Sequence, residues 1–331
     1  MDELFRLSLA LTTWLQEHYP QLLWLMTIIT SLGQEVAYLA ILPAVYWSVD
    51  KRFGRQLGYV FLLSAVVNST AKNLLRQPRP FWLDPGVRLS SSESYGLPSG
   101  HAQHATSVYL LVAGRLRRNW VWLLAFLGIV VMSLSRLYLG VHFLQDVVGG
   151  FILGLLVLFA FLFWQQSFAQ RFGRSILGRR LLLMILIPAA LAAVYGLLLL
   201  IIGRPNLDVP WASFVPAAER TAHEDVVSTL ASLLGFGIGM TLESSRVRFR
   251  ADGPAWQRVA RYVLGIAVAL AIWGGLRIIF PAEPEWLGLP LRFLRYLLLL
   301  LWVTYFAPWV FIRLRLATAD AESEVRISLW A

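Results

Sequence analysis

A small group of residues between positions 72 and 146 has the types and spacings needed to handle a phosphoryl group. Lys72, Arg79 and Arg136 supply three cations. Phosphate oxygens are what such a cluster holds best, because a guanidinium can grip two of them at once. Pro98 stands before Ser99, Gly100 and His101. With the proline at a helix start, the backbone N–H groups of those three residues are left free and form an anion site. Gly100 has no Cβ, so a phosphate can come close to the backbone. His142 and Asp146 are four residues apart and share one helix face. A carboxylate on one ring nitrogen fixes the tautomer, leaves the other nitrogen free to attack, and stabilises the imidazolium that forms. His101, at a different helix start, is placed to protonate a leaving alkoxide. Together these groups make a phosphoryl-transfer site that needs no metal or other cofactor, with positioning and charge supplying most of the rate.

Other polar residues lie near this group. Asn68 precedes Lys72 by one helical turn and could hydrogen-bond the lysine or a neighbouring helix. Glu35 sits at the outer end of an apolar run, where it either contacts substrate and its binding residues or reaches water. His104, one turn beyond His101, is expected to pack or tune the pocket rather than act in catalysis. Arg76, and further on Arg277, Arg292 and Arg295, are expected to snorkel toward headgroups. The cluster Glu219, Arg220, His223, Glu224 and Asp225 fits no trusted metal pattern and reads as a solvated loop or the acidic start of a helix.

The elements that must position these residues are apolar. The chain has 331 residues, 58% hydrophobic and 15% charged, with a mean hydropathy of +0.63. Soluble domains are about 45–50% apolar and about 25% charged. A soluble enzyme and a disordered chain are therefore excluded in favour of an all-α, polytopic membrane bundle. The apolar runs do not alternate with polar residues, which excludes a membrane β-barrel. Cysteine is absent, so disulfides, thiolate metal sites and a Cys nucleophile are excluded too. Nine spans are expected, at 34–49, 54–75, 98–115, 119–136, 142–165, 180–202, 226–242, 259–280 and 289–314. Residues 22–32 read as a re-entrant or surface segment. Leu4, Leu7, Leu11, Trp14 and Leu15 predict an interfacial helix over 4–15 with its apolar face in the headgroups. The acidic start, Met1-Asp2-Glu3, does not resemble a cleavable signal.

The net charge of +10 would suggest nucleic acid in a soluble protein, but here the basic residues lie in short loops and act as topology signals. The loops near 50–55, 115–118, 171–180 and 246–261 and the tail from 313 hold 18 of the 29 Lys and Arg residues. That side is assigned to the cytoplasm. The C-terminus is then cytoplasmic, and every residue of the phosphoryl group falls on the opposite face. The Arg-rich composition and short loops point to a bacterial inner membrane.

The order Lys72-x6-Arg79-Pro80, then Pro98-Ser99-Gly100-His101, then Ser135-Arg136-x5-His142-x3-Asp146 resembles the three-part signature of the type-2 phosphatidic acid phosphatase superfamily. Every signature position is filled. The resemblance implies a six-helix core holding His142 as the nucleophile that becomes a phosphohistidine, Asp146 as its orienter, and His101 as acid and then base. Lys72, Arg79, Ser99, Gly100 and Arg136 would bind the phosphoryl oxygens. Residues 1–202 would form the phosphatase core with its interfacial helix, and 203–331 a three-helix extension. The nine-span layout is similar to glucose-6-phosphatase and, more loosely, to sphingosine-phosphate phosphatases. The expected activity is a lipid-phosphate phosphatase acting on a phosphomonoester or diphosphate held in the bilayer. The alternatives are a sugar phosphatase, a lipid phosphotransferase using the same phosphohistidine, and a non-catalytic membrane protein with a vestigial site. Membrane lipids are the expected surroundings, and nucleic acid is not an expected partner. The sequence leaves the oligomeric state open.

Overall fold

The computed structural model describes residues 3–320, so Met1, Asp2 and the end of the basic tail lie outside the described residues. The first helices are α1 (Glu3–His18), α2 (Leu23–Ser31), α3 (Glu35–Ser48), α4 (Lys51–Leu75) and the short α5 (Pro80–Leu83). After a loop come α6 (Gly100–Leu116), α7 (Asn119–Tyr138), α8 (Leu144–Ser167), the short α9 (Ala169–Arg174) and α10 (Leu177–Ile202). The last helices are α11 (Val215–Leu242), α12 (Ala255–Leu270), α13 (Leu276–Ile279), α14 (Glu285–Leu301) and α15 (Ala307–Arg313). No strand occurs among the described residues, and one isolated bridge joins Phe249 to Ala319. In apolar surroundings a backbone must satisfy its own hydrogen bonds, which is why these Leu-, Val- and Ala-rich runs are helical throughout. Pro43, Pro188 and Pro290 sit inside helices.

A helix covers each of the nine expected stretches, but the count of spans differs. Among the described residues, six segments are long and apolar enough to cross a membrane, at 119–138, 144–167, 177–202, 212–247, 255–279 and 285–313. The pair α2 and α3, bent by 50° at its break, would make a seventh. The stretches at 54–75 and 98–115 fall short because α6 has only 17 residues and α4 is polar along one face. Ser64, Asn68, Ser69, Lys72 and Asn73 of α4 are all buried in protein. A helix that hides its polar face against protein has no need of a lipid-compatible composition. The stretch 22–32 is part of the bent pair.

The chain forms two compact units. The first comprises residues up to Tyr38, Leu63–Phe159 and Tyr195–Val226, and contains the whole 72–146 group. One of its cores joins Met26, Phe81, Trp82, Tyr95, Tyr138, Val141 and Ala222. Helix α8 lies very close to the start of α6. A Cβ on Gly154 would sit 2.6 Å from the Gln103 carbonyl, and one on Gly150 would overlap the Ser99 carbonyl. Small residues are what allow two helix backbones to approach this far.

Helix α1 forms as expected, but its polar face is the one that packs on protein. Buried Thr12 donates to the Leu137 carbonyl at 3.1 Å, Ser8 accepts from the Leu144 N–H at 3.2 Å, and Gln16 donates to the Val87 and Tyr138 carbonyls. Leu4, Leu7 and Trp14 face outward. The hydroxyls thus cap open backbone groups at the α7–α8 turn, and Leu11 and Leu15, expected in the headgroups, pack on protein cores instead, which leaves Leu4, Leu7 and Trp14 to lipid.

The second unit comprises Leu39–Leu62, Ala160–Val194 and the residues from Val227 on. Lys51 pairs with buried Glu243 at 2.8 Å and donates to the Phe249 carbonyl. Fully buried Arg261 donates to the carbonyls of Arg250, Ala251 and Asp252. Two of the basic residues counted as free loop charges are therefore structural.

Candidate active site

The site is assembled from four places in the first unit: the end of α4 with the loop after it, the start of α6, the end of α7, and the turn into α8. Arg76 ends α4 with a left-handed φ of 48°. This turns the chain so that Arg79 comes back beside Lys72. The turn is secured by Arg76 itself, which donates to both carboxylate oxygens of Glu219 at 3.1 and 3.3 Å and to the Gly203 carbonyl at 2.8 Å. Arg76 is therefore tied to protein rather than snorkelling. Glu219 also accepts from Tyr95 at 2.7 Å and lies within α11, so it belongs to neither a loop nor a solvated cluster.

Arg79 is 1% exposed. Its guanidinium donates to the carbonyls of Ser94, Tyr95 (2.9 Å) and Val141 (2.7 Å) and to Ser94 Oγ (3.0 Å). Lys72 Nζ donates to the same Ser94 Oγ at 2.9 Å. One hydroxyl oxygen thus sits between two buried cations, where a phosphate oxygen would be held equally well. Burial pushes the Arg79 pKa down to about 10, with Asp146 and Asp225 opposing the shift, so Arg79 stays charged at neutral pH.

His142 lies in the turn just before α8 rather than within the helix, yet it reaches Asp146 as its spacing requires. Nδ1 is 3.2 Å from Asp146 Oδ2, which also accepts from the Phe143 N–H at 2.9 Å. The other nitrogen, Nε2, is 3.4 Å from Arg79 Nη1. His142 is 2% exposed. Burial, then the neighbouring Arg79, Arg136 and Lys72 cations, hold its pKa well below the usual histidine range. That direction favours the neutral ring, whose Nε2 lone pair faces the Arg79 guanidinium. Asp146 completes the seat through its carbonyl, which accepts the Ser99 N–H at 2.8 Å. That contact corrects one expectation, since the Ser99 N–H is occupied, and the open first-turn donors of α6 belong to Gly100 and His101.

Among the signature residues, Ser99 Oγ, His101 Nε2, Arg136 Nε and the acceptor Asp146 Oδ1 are buried without partners, and the first three are atoms that can carry a proton toward an anion. Buried polar atoms without partners cost about 1–3 kcal/mol each. Three potential donors at one place mark a position where a polar ligand completes the structure. Gly100 is close-packed, and a Cβ there would stand 3.0 Å from Asn68 Oδ1. Asn68 in turn donates to the Pro98 carbonyl (3.3 Å) and Gln103 Oε1 (2.9 Å), which fixes the start of α6. His104 points elsewhere, with Nδ1 2.9 Å from Ser64 Oγ and its ring edge-on to Tyr38. Glu35 is exposed at the start of α3. Arg292, expected at headgroups, donates to Ser228 Oγ at 2.7 Å, and Arg295 is buried. Ser94, Thr30, Tyr95 and Glu219 were missed from the sequence. Ser94 is one of four serines between 90 and 94 and nothing local marks it.

Comparison with known proteins gives consistent matches. Residues 53–172 match a family model described as the PAP2 superfamily, and residues 227–319 match one described as PAP2 superfamily phosphatase, transmembrane extension. Sphingosine-1-phosphate phosphatase 2 of Mus musculus is 37% identical over 131 residues, which are 37% of this chain and 37% of that protein. Phosphatidylglycerophosphatase B of Bacillus subtilis is 33% identical over 153 residues, 42% of this chain and 73% of that protein. The chain thus spans little more than a third of the length of the sphingosine-1-phosphate phosphatase it matches. The crystal structure of a transmembrane PAP2 type phosphatidylglycerolphosphate phosphatase from Bacillus subtilis is 29% identical, covers 45% of this chain and 79% of its own, and has a TM-score of 0.38.

The shared Ser94 oxygen gives a direct test of the anion site. Ser94→Ala should lower stability by about 1–3 kcal/mol in anion-free detergent, because Lys72 and Arg79 lose a common acceptor. Orthovanadate should restore most of that loss, read as the thermal unfolding midpoint. A variant destabilised to the same extent with and without vanadate would contradict anion binding between these two cations.

Proposed function

The chain belongs to the PAP2 superfamily, and on that premise we propose that it is a membrane-embedded lipid-phosphate phosphatase working through a phosphohistidine at His142. One observation carries the reading. A single imidazole is held through Nδ1 by Asp146 and presents Nε2 beside Arg79, inside a buried cluster of Lys72, Arg79 and Arg136. Support for a lipid substrate comes from the apolar helices and from the names of relatives that act on sphingosine 1-phosphate and phosphatidylglycerophosphate.

In the first step His142 Nε2 attacks phosphorus. An N–P bond forms as the P–O ester bond breaks, and the leaving alkoxide takes a proton from Nε2 of His101, which enters this step as the imidazolium, its charge favoured by the phosphate anion bound beside it. In the second step a water oxygen attacks the phosphohistidine. The N–P bond breaks, His101 takes the water proton, and inorganic phosphate leaves. Lys72, Arg79, Arg136, Ser99 Oγ and the N–H groups of Gly100 and His101 hold the three equatorial oxygens. Asp146 stabilises the positive charge that the His142 ring acquires while bonded to phosphorus. Catalysis is proposed to be metal-independent because three buried cations repel a fourth and already supply the charge a metal would bring. The phosphatase core is assigned to residues 1–202 and the extension to 203–331. The site is assigned to the extracytoplasmic face of a bacterial inner membrane, with the C-terminus in the cytoplasm, from the distribution of Lys and Arg.

Phosphate release in detergent from phosphatidate, phosphatidylglycerophosphate, an isoprenyl diphosphate, sphingosine 1-phosphate and glucose 6-phosphate tests the activity. At least one lipid should be hydrolysed in the presence of EDTA, and His142→Ala should lower its turnover by about 10⁴-fold or more. Turnover of glucose 6-phosphate alone, or unchanged activity in His142→Ala, would sink the assignment. Orientation is a separate matter. Ser91 is exposed in the loop before α6 and the chain has no cysteine. Ser91→Cys should react with an impermeant maleimide added to intact cells, and reaction only after lysis would place the site on the cytoplasmic face.

A further inference from the structure

His101 and Arg136 stand on different helices, but the break between α2 and α3 reaches both. The Thr30 hydroxyl accepts a hydrogen bond from Arg136 Nη1. The backbone of the same residue hydrogen-bonds the His101 ring. His101 Nε2 has no partner, so this bond is assigned to Nδ1. Three residues on, Gly33 packs against the imidazole. A Cβ there would overlap His101 Cδ2 and stand 3.1 Å from Met132 Sδ. Thr30 and Gly33 are both buried. Neither is within the signature, and both precede the matched family segments at 53–172 and 227–319.

Each contact has a chemical consequence. A ring whose Nδ1–H is committed to a backbone carbonyl keeps its second proton site on Nε2 alone. Nε2 is then the only atom of His101 that can give a proton to a leaving oxygen or take one from water. An Arg136 held at one Nη by a hydroxyl is fixed in orientation and keeps other donors, including the unpartnered Nε, for an anion. We infer that the Thr30–Gly33 corner is a positioning device that sets the proton-donating nitrogen of His101 and the phosphate-gripping face of Arg136 together. Thr30 and Gly33 are positioning residues and touch no reacting atom. The inference rests on the phosphoryl-transfer reading above and deepens it.

Two variants test it in the full-length protein in detergent. Gly33→Ala is compared with wild type by kcat/KM on an alkyl phosphate and on p-nitrophenyl phosphate. This ratio reports only the steps through phosphoenzyme formation, where an alkoxide needs a proton and a nitrophenolate does not. The alkyl phosphate value should fall about 100-fold, and the p-nitrophenyl phosphate value should change by less than about threefold. Equal losses on the two substrates, or no loss on either, would overturn the role toward His101. Thr30→Val and Thr30→Ser are read without turnover, from the orthovanadate concentration that half-saturates thermal stabilisation. That concentration should rise about tenfold in Thr30→Val and stay within about twofold of wild type in Thr30→Ser. Unchanged vanadate affinity in Thr30→Val, or no rescue by serine, would overturn the role toward Arg136. His142→Ala separates the two levels. If it is inactive while these patterns fail, the corner is wrong and the nucleophile stands. If it retains activity, the nucleophile assignment itself fails.

Discussion

The burial of the Arg79 guanidinium is the constraint around which the first unit is arranged. A charged group at 1% exposure needs every N–H directed at an acceptor. Here main-chain carbonyls of Ser94, Tyr95 and Val141, the Ser94 hydroxyl and His142 Nε2 meet that need. Carbonyls solvate the charge without cancelling it, so Arg79 keeps its field for an anion. The same bonds tie the loop before α6 to the turn that carries His142. One side chain therefore holds two of the three signature blocks in register.

The surrounding packing is what makes those bonds possible. Gly150 and Gly154 let α8 approach the start of α6 closely enough for the Asp146 carbonyl to accept the Ser99 N–H. Phe214 stacks on Trp82 at 5.3 Å, and Glu219 grips Arg76 and Tyr95. The turn after α4 and the loop carrying Tyr95 are thus held by residues more than a hundred positions away. On the other side, α1 caps the α7–α8 turn with its hydroxyls. Cationic side chains that would repel each other are kept together by a shell of backbone acceptors and aromatic contacts.

How much of this was legible in the sequence follows from the range of each interaction. His142 with Asp146 and the helix start at Gly100 depend on spacings of a few residues, and the sequence displays them directly. Ser94, Thr30 and Glu219 act across 15 to 143 positions, and their residue types are ordinary for a loop, a helix end and an acidic cluster. Hydropathy marked every long helix, but it measures suitability for lipid and so says little about a helix whose polar face packs on protein. Helix α4 turns Asn68, Lys72 and Asn73 toward protein and so scores as less apolar than its neighbours. Helix α1 shows the opposite limit. Its apolar residues were legible, but its three hydrogen-bonding side chains gave no sign of the backbone groups they would cap.

The central claim is that His142 Nε2 forms a bond to phosphorus. It is tested most directly by quenching a single turnover of a ³²P-labelled lipid phosphate in alkali and mapping the label. Cleavage at arginine separates residues 137–171, whose one histidine is His142, from residues 89–115, which contain His101 and His104. An alkali-stable, acid-labile phosphate confined to the 137–171 peptide is the predicted result. Turnover without a labelled protein, or label on the 89–115 peptide, would contradict it.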